Sequence, residues 1–580
     1  MSEGVQEGSE VRDGMRIDWD VPIPTDDGTV LRADVYRPAS GDACPVVMTY
    51  GPYAKGLAFQ EGYARQWEQM SREAPEALAG SSNKYQSWET VDPEKWVPDG
   101  YACVRIDSRG AGCSPGVMDV WSPREAQDLY ECVEWAAAQP WSTGKVGLCG
   151  ISYYAMNQWQ VASLQPPHLT AMIPWEGAAD WYRETYYHGG ILSGFAASWY
   201  PRQVVNVQHG RGGTAKSPIT GESVTGAEVL SEEELAASRV DLVAEVKSHP
   251  LDDEWHRSRS ADWSKVRTPF LSAANWGGQG LHPRGNFEGF TEAASEQKWL
   301  DAHGDTHFTC FYTDYGVRMQ KRFLDHFCKG LDNGWEREPR VRLQVRHADG
   351  RFMERHATDW PLPETRWTRW YLDPAKEGFA QEVPAESRTT YDATGEGVLL
   401  QTPPLEREVE ITGPVAARLW ISSSTTDADL FLVLRVFDPS GQEVVFQGSN
   451  DPHTPVAQGW LRASHRKLDE TRSRPDRPYH IHDEVQPLTP GEVYAVDVEI
   501  WPTSIVVPPG YRVALGVAGR DYTYGGEISE RMRSMGYLGC GPFTHTDPDA
   551  RPPDTFGGEV TIHGGGETGS YLLLPVIPSA

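Results

Sequence analysis

The chain has no apolar run long enough to cross a bilayer as a helix, few cysteines, no Asn-x-Ser/Thr acceptor and a deficit of positive charge. The first absence removes helical membrane spans. The segment from Met1 to Asp20 is polar and acidic, so it lacks the basic start and apolar stretch of a secretory signal. The eight cysteines (Cys44, Cys103, Cys113, Cys132, Cys149, Cys310, Cys328 and Cys540) are irregularly spaced and include no Cys-x-x-Cys pair. That pattern excludes a disulfide framework and a structural zinc site, and the thiols read as reduced core residues of a cytoplasmic protein. Against 82 Asp and Glu stand 53 Lys and Arg, a formal charge of −29. Such a surface repels phosphate backbones and anionic lipids, so neither nucleic acid nor a membrane is expected as a partner.

What the chain does have is core-forming material: 39% hydrophobic residues, with 22 Trp and 24 Tyr among 580 positions. At roughly 150 residues per domain, that length predicts two or three domains. From about Pro45 to Trp360, short apolar runs alternate with amphipathic ones, the rhythm of an α/β fold with a parallel sheet. Strands are expected at 45–50, 101–106, 145–149, 168–174, 268–274 and 298–303. Between the second and third, Ala126, Leu129, Val133 and Ala137 fall at helical spacing ahead of Pro140.

The stretch between Asp180 and Arg267 breaks this rhythm. It holds aromatic clusters and an acidic, helix-like run from Ser231 to Val246, and an insertion of that size between two strands usually forms a cap. Beyond Trp360 come short alternating runs punctuated by Pro and Gly, at 415–422, 430–437, 443–448, 492–500, 512–517 and 559–563, which argue for an all-β sandwich or jelly roll. The expected organisation is an α/β-hydrolase domain over residues 15–179 and 268–360, a mainly helical cap over 180–267, and a β domain over 361–580. The Pro-rich segment Trp360-Pro361-Leu362-Pro363 is the expected linker.

A serine on a sharp strand-to-helix turn stands at the sheet's carboxyl edge beside free helix amides that favour developing negative charge. Ser152, in Gly150-Ile151-Ser152-Tyr153-Tyr154, occupies such a place. Gly-x-Ser is by itself a weak signal, and Tyr154 stands where the usual elbow has its second glycine; a helix-capping serine is the plainer alternative. Gly150-Ile151-Ser152-Tyr153-Tyr154-Ala155 nevertheless resembles the elbow of the cocaine esterase-like and X-Pro dipeptidyl-peptidase-like serine hydrolases, the CocE/NonD group, with Ala155 in place of its last glycine. Asp99-Gly100-Tyr101, Asp107-Ser108-Arg109-Gly110, Gln158-Trp159-Gln160 and Gly459-Trp460-Leu461-Arg462-Ala463-Ser464 are similar to family segments in the same order. The likeness runs from about Met15 to the C-terminus and implies esterase or amidase chemistry, an α/β-hydrolase fold with a jelly roll, and no cofactor.

Acyl transfer also needs a base, a group that orients it, and donors for the oxyanion. His307 follows the expected strand 298–303 and matches the family's motif in Gly304-Asp305-Thr306-His307, with His303 as its competitor. The Tyr153 amide is the expected backbone donor. Gly51-Pro52-Tyr53 resembles the stretch whose tyrosine hydroxyl helps to form the oxyanion hole. The acid departs from the pattern: where cocaine esterase-like members carry a segment resembling Trp-Tyr-Asp-Gly, this chain reads Asn275-Trp276-Gly277-Gly278-Gln279-Gly280, with no carboxylate. Glu176, at the end of the preceding strand, is the expected replacement, since functional side chains of open α/β sheets gather at strand ends. Asp180 and Asp305 are its rivals.

The Trp and Tyr cluster from Trp181 to Tyr187 reads as a mixture of cap core and pocket wall, and Trp175, Trp181, Tyr182 and Trp276 are the residues expected to line an apolar acyl or aryl pocket. His480-Ile481-His482 has no third ligand in the sequence and reads as loop histidines; no metal is expected. Gly564-Gly565-Gly566 precedes no helix and reads as a turn. Three functions compete: a serine esterase or amidase on small molecules, an X-Pro dipeptidyl-peptidase-like aminopeptidase using Glu176 and Asp180 to hold a free ammonium, and a catalytically impaired binding protein. The first is preferred, with a small ester, amide or short peptide as substrate and a homo-oligomer as a possible assembly.

Overall fold

The structure is a computed structural model that describes residues 8–213 and 215–578. Residues 1–7, part of the segment read above for a secretory signal, lie outside the described residues. None of the described helices is long and apolar enough to cross a membrane.

The first half of the chain builds an 11-stranded sheet. Its parallel centre runs, in spatial order, Ala102–Asp107, Cys44–Gly51, Ser142–Ile151, Leu169–Trp175, Phe270–Asn275, Lys298–His303 and Val341–Arg346. Antiparallel strands close both flanks. Cys44–Gly51, Ala102–Asp107 and Phe270–Asn275 are buried at every position. That explains why they read in sequence as continuous apolar runs rather than alternating ones.

Helices cover both faces. Pro123–Ala137 starts with Ser122 accepting from the Glu125 amide and proline in its first turn. Tyr153–Leu164 follows the strand Ser142–Ile151 directly. Between Trp175 and Phe270 the chain leaves the sheet for short helical segments and one small hairpin. The acidic run read as one helix is two, Glu232–Ala237 and Leu242–Ser248. Ser231 and Asp241 each cap a separate N-terminus through a side-chain oxygen, which is why the run divides.

The second half forms an all-antiparallel, 11-stranded assembly wound as a jelly roll. Its spine is Val409–Ser423 paired with Tyr494–Val507. The run 443–448 is not a strand and holds only isolated bridges, Phe437 with Glu443 and Phe446 with Thr454.

The two halves share a core. Trp360 and Leu362, in the segment read as a linker, are buried with Trp276, Phe287, Val506 and Ile577. Arg346, 1% exposed, donates from the first sheet to the carbonyls of Ser504 (2.9 Å) and Val456 (2.9 Å) and to Thr503 Oγ1 (2.7 Å). Burial without a carboxylate partner pushes its guanidinium down to about 9. Replacing it with methionine removes the charged donor from the buried Ser504 carbonyl and Thr503 hydroxyl, while the Val456 carbonyl keeps the Thr503 hydroxyl. Arg346→Met should therefore lower unfolding stability by about 2–4 kcal/mol, read as an earlier urea midpoint for the loss of both halves together.

Candidate active site

Ser152 sits at φ 56°, ψ −111°, a conformation a non-glycine residue adopts only when its surroundings enforce it. Those surroundings are hydrogen bonds: its amide donates to the Trp175 carbonyl (3.0 Å), and its carbonyl accepts from the amides of Ala155 (2.9 Å) and Met156 (2.7 Å). Space enforces it too. A Cβ at Gly150 would lie 2.6 Å from the Tyr154 Cβ, and one at Gly177 would lie 3.1 Å from the Ala155 Cβ, so helix and strands approach closely where Ala155 replaces a glycine.

Ser152 Oγ lies 3.0 Å from Nε2 of His282, a residue that the sequence reading missed. His282 immediately precedes the helix Pro283–Glu292, on the loop after Phe270–Asn275. A histidine before a helix-starting proline, at the carboxyl edge of a sheet strand, was the available signal. Among the described residues its buried Nδ1 has no partner, and burial, reinforced by the positive His307, pushes the imidazole down to about 3, so it is neutral.

His307 stacks on His282, with ring centroids 5.0 Å apart. Its Nδ1 lies 2.7 Å from Glu176 Oε2 and its Nε2 2.8 Å from Glu89 Oε1. Burial opposes charge on this ring, but the Glu176 charge and the bonds to both carboxylates outweigh it and raise the imidazole to about 10. Glu176 is fully buried at the end of Leu169–Trp175, at φ 53°. Burial would raise its carboxyl, yet His307 and His303 hold it down to about 2. Asn275 Nδ2 donates to its other oxygen (3.0 Å). Glu89 was also missed. It sits in an irregular turn whose backbone carbonyl accepts from the Ile151 amide of the elbow (3.1 Å), and burial raises its carboxyl to about 7.

The rival acids are engaged elsewhere. Asp180 pairs with Arg183 (2.9 Å) and caps Trp181–Tyr186, and Asp305 accepts from the Thr306 amide (2.6 Å). His303 bonds Asp301 (3.2 Å) and lies 3.6 Å from Glu176 Oε1. His480 and His482 are buried beneath Arg183, which donates to the His480 carbonyl. Among the described residues, the one constellation with metal-ligand spacing is Glu176, His282 and His307.

A cavity of about 120 Å³ opens above Ser152. Its aromatic wall is Tyr53, Trp88, Phe195, Trp199, Tyr537 and Phe543. The residues expected to form that wall lie in the core instead. Trp175 packs on His303 and Phe311, Trp181 against Trp121, Tyr182 on Tyr187, and Trp276 on Phe287, all of them fully buried. The Tyr53 hydroxyl accepts from Trp199 Nε1 (3.0 Å), which leaves its own proton to donate, and burial raises its phenol well above the usual range. The Tyr153 ring is occupied elsewhere, its hydroxyl donating to Glu125, so only its amide is in question at the elbow.

A sequence profile of the X-Pro dipeptidyl-peptidase (S15 family) matches residues 27–309, and one of the X-Pro dipeptidyl-peptidase C-terminal non-catalytic domain matches 333–573. The structure of a CocE/NonD family hydrolase from Staphylococcus aureus superposes with a TM-score of 0.82 at 31% identity, over 97% of this chain and 94% of that one. The chain belongs to the CocE/NonD family of serine hydrolases. Within this family, the cocaine esterase of Rhodococcus sp. (strain MB1 Bresler) is 26% identical over 96% of this chain and 98% of its own length. An α-amino acid ester hydrolase shares the fold at 15% identity, with a TM-score of 0.67.

In this CocE/NonD chain the glycine in the acid-less segment is sterically required. A Cβ at Gly277 would lie 2.5 Å from Gly448 Cα of the β domain, leaving no room for a side chain. Gly277→Asp should therefore fail to restore activity to a Glu176→Gln enzyme and should lower thermal stability by itself. Recovery of turnover in the double variant would show that the segment can still house an acid.

Proposed function

We propose that the protein hydrolyses small carboxylic esters or amides through an acyl-enzyme on Ser152. The observation that carries this reading is the strained, cavity-facing Ser152 hydroxyl 3.0 Å from an imidazole nitrogen, beside a second imidazole bonded to a buried carboxylate. In the proposed cycle Ser152 Oγ attacks the carbonyl carbon as an imidazole takes its proton. The Tyr153 amide and Tyr53 hydroxyl hold the oxyanion, and the same imidazole protonates the departing alcohol or amine. Water then repeats the sequence on the acyl-enzyme.

We assign the base to His307, with Glu176 fixing its Nδ1 proton and stabilising the imidazolium. In the structure its Nε2 is held by Glu89, so Glu89 is a latch that the ring leaves when it turns to Ser152. The direct contact with Ser152 favours a second reading, in which His282 is the base. Its buried Nδ1 has no carboxylate to stabilise a positive ring, which is why His307 is preferred.

The dipeptidyl-peptidase alternative is less well supported. Of the two carboxylates suited to a free ammonium, Glu176 is bonded to His307 and Asp180 to Arg183. A cytoplasmic home suits the eight cysteines, all of them free.

A fluorophosphonate probe should label the wild type and leave Ser152→Ala untouched; equal labelling of both would end the serine mechanism. Glu176→Gln should lower kcat on p-nitrophenyl esters by about 10³–10⁴-fold. Near wild-type turnover would remove Glu176 from the mechanism.

The pH profile separates the two bases. A His307 base works only when neutral, and Glu89 favours its protonated form, so activity rises with pH as that proton leaves. Glu89→Gln removes the stabilising charge and should move the acid limb of kcat/KM down by about one pH unit. If His282 is the base, its imidazole is already neutral in mildly acidic solution. The limb then stays where it is, and His282→Gln becomes the more damaging of the two histidine substitutions.

A further inference from the structure

The outer rim of the Ser152 cavity carries Arg65, on the helix Ala64–Glu73, and Arg202, in the helical turn Tyr200–Val204. In a chain with 82 acidic residues against 53 basic ones, several arginines are held by carboxylates: Arg109 by Asp27 and Asp128, Arg183 by Asp180 and Asp252, Arg462 and Arg551 by Asp429. Among the described residues, neither Arg65 nor Arg202 has a carboxylate partner. Arg65 Nη1 reaches the Met535 sulfur (3.4 Å), a weak acceptor, and its guanidinium also engages Tyr537.

Arg65 and Arg202 both line the cavity together with Tyr537. The Arg65 guanidinium lies 5.9 Å from the Tyr537 ring centroid, and the charges of both arginines act on that phenol against its burial. Two like charges brought to one rim without a counter-ion repel each other, and a compact anion between them relieves that repulsion. The cavity's uncharged polar lining includes the amides of Gln66, Gln203 and Asn450 and the hydroxyl of Ser198. The single carboxylate lining the cavity, Glu89, is turned inward onto His307.

We propose that the substrate carries a carboxylate bound between Arg65 and Arg202, so that the preferred esters or amides are negatively charged: half-esters of dicarboxylic acids, or acyl derivatives whose leaving group bears a carboxylate. This names the substrate class of the site described above and rests on the Ser152 reading. Arg65 and Arg202 act as specificity determinants, since they bind a part of the substrate away from the carbonyl. The small cavity between rim and nucleophile admits a spacer of only a few carbon atoms.

The test compares near-isosteric pairs: p-nitrophenyl hydrogen glutarate with p-nitrophenyl valerate for an acyl-side carboxylate, and 4-acetoxybenzoate with phenyl acetate for a leaving-group carboxylate. In at least one pair the anion should be favoured by tenfold or more in kcat/KM, mainly through KM, and added salt should reduce that ratio. Arg65→Met and Arg202→Met should each bring the ratio toward one, with Arg202→Lys keeping part of it. Because the readout is a ratio within one protein, a partly unfolded variant does not mimic the result. Equal or better use of the neutral member in both pairs, or an unchanged ratio in both methionine variants, overturns the proposal. Faster cleavage of alanine p-nitrophenyl ester than of either anion does so as well, and points to Glu89 as the recognition group. Binding is read separately from turnover. Monomethyl glutarate should perturb tryptophan fluorescence, through Trp88 and Trp199, far below the concentration at which methyl valerate does, and Arg202→Met should abolish the difference. That titration decides the anion site even if ester turnover is absent and the Ser152 reading fails.

Discussion

The arrangement depends on one buried charge. Glu176 is fully enclosed at the end of a central strand, where an isolated carboxylate would take up a proton rather than stay ionised. It stays ionised because cations and donors surround it: His307 at 2.7 Å, Asn275 at 3.0 Å and His303 at 3.6 Å. Its amide is bonded to the Ala273 carbonyl (2.7 Å), and the next residue's amide to Asn286 (2.9 Å), so the backbone that presents it cannot drift. Removing the carboxylate would leave His307 without the charge that fixes its tautomer, and Asn275 without an acceptor on that side. The ends of three neighbouring strands are thus tied together by a single ionised group.

The β domain takes part in this construction. Ser449 accepts the His307 amide through its carbonyl (3.1 Å) and brings its hydroxyl to 3.5 Å from Glu176 Oε2. Gly448 presses on Gly277, and Asn450, Tyr537 and Phe543 line the cavity. The shared core around Trp276, Trp360 and Val506, with Arg346 bridging to Ser504 and Val456, sets the position of that loop. Rigid docking therefore has a direct chemical consequence: a shift of the jelly roll would displace the backbone that holds the imidazole loop.

The parallel strands were legible because they are buried on both faces and flanked by turn residues, and Ser152, Glu176 and His307 were legible as places on that framework, at or just beyond strand ends. Glu89 and His282 were harder to see. Glu89 lies in an irregular turn with no periodic neighbours, and only the folded backbone brings its carbonyl to Ile151 and its carboxylate to His307. The pocket wall went astray for a related reason. Aromatic residues in and beside the insertion serve equally well as core or as wall, and Trp175, Trp181 and Tyr182 fill core while Trp88 and Trp199, from two separate segments, line the cavity. Linear clustering reports composition, whereas a wall is made by convergence of distant segments.

In the proposed triad the acid is displaced from its usual loop, and the sheet shows how such a change can be tolerated. A triad needs a carboxylate at a fixed place relative to Nδ1 of the imidazole, and neighbouring parallel strands end close enough together for either of two to supply it. Here the strand Leu169–Trp175 delivers the charge, while the residue ending its neighbour, Asn275, contributes a neutral donor to it. A second carboxylate on that neighbouring loop would face Glu176 across a dry site and push one of the two to the protonated form, disabling the pair. Glycine at 277 avoids that repulsion and lets the β-domain loop close over the site. Glu89 is the other acid near His307; burial and the Glu176 charge raise its carboxyl, and the ring between them offsets part of that penalty. Glu89 approaches the opposite ring nitrogen, so the imidazolium lies between the two carboxylates and screens one from the other.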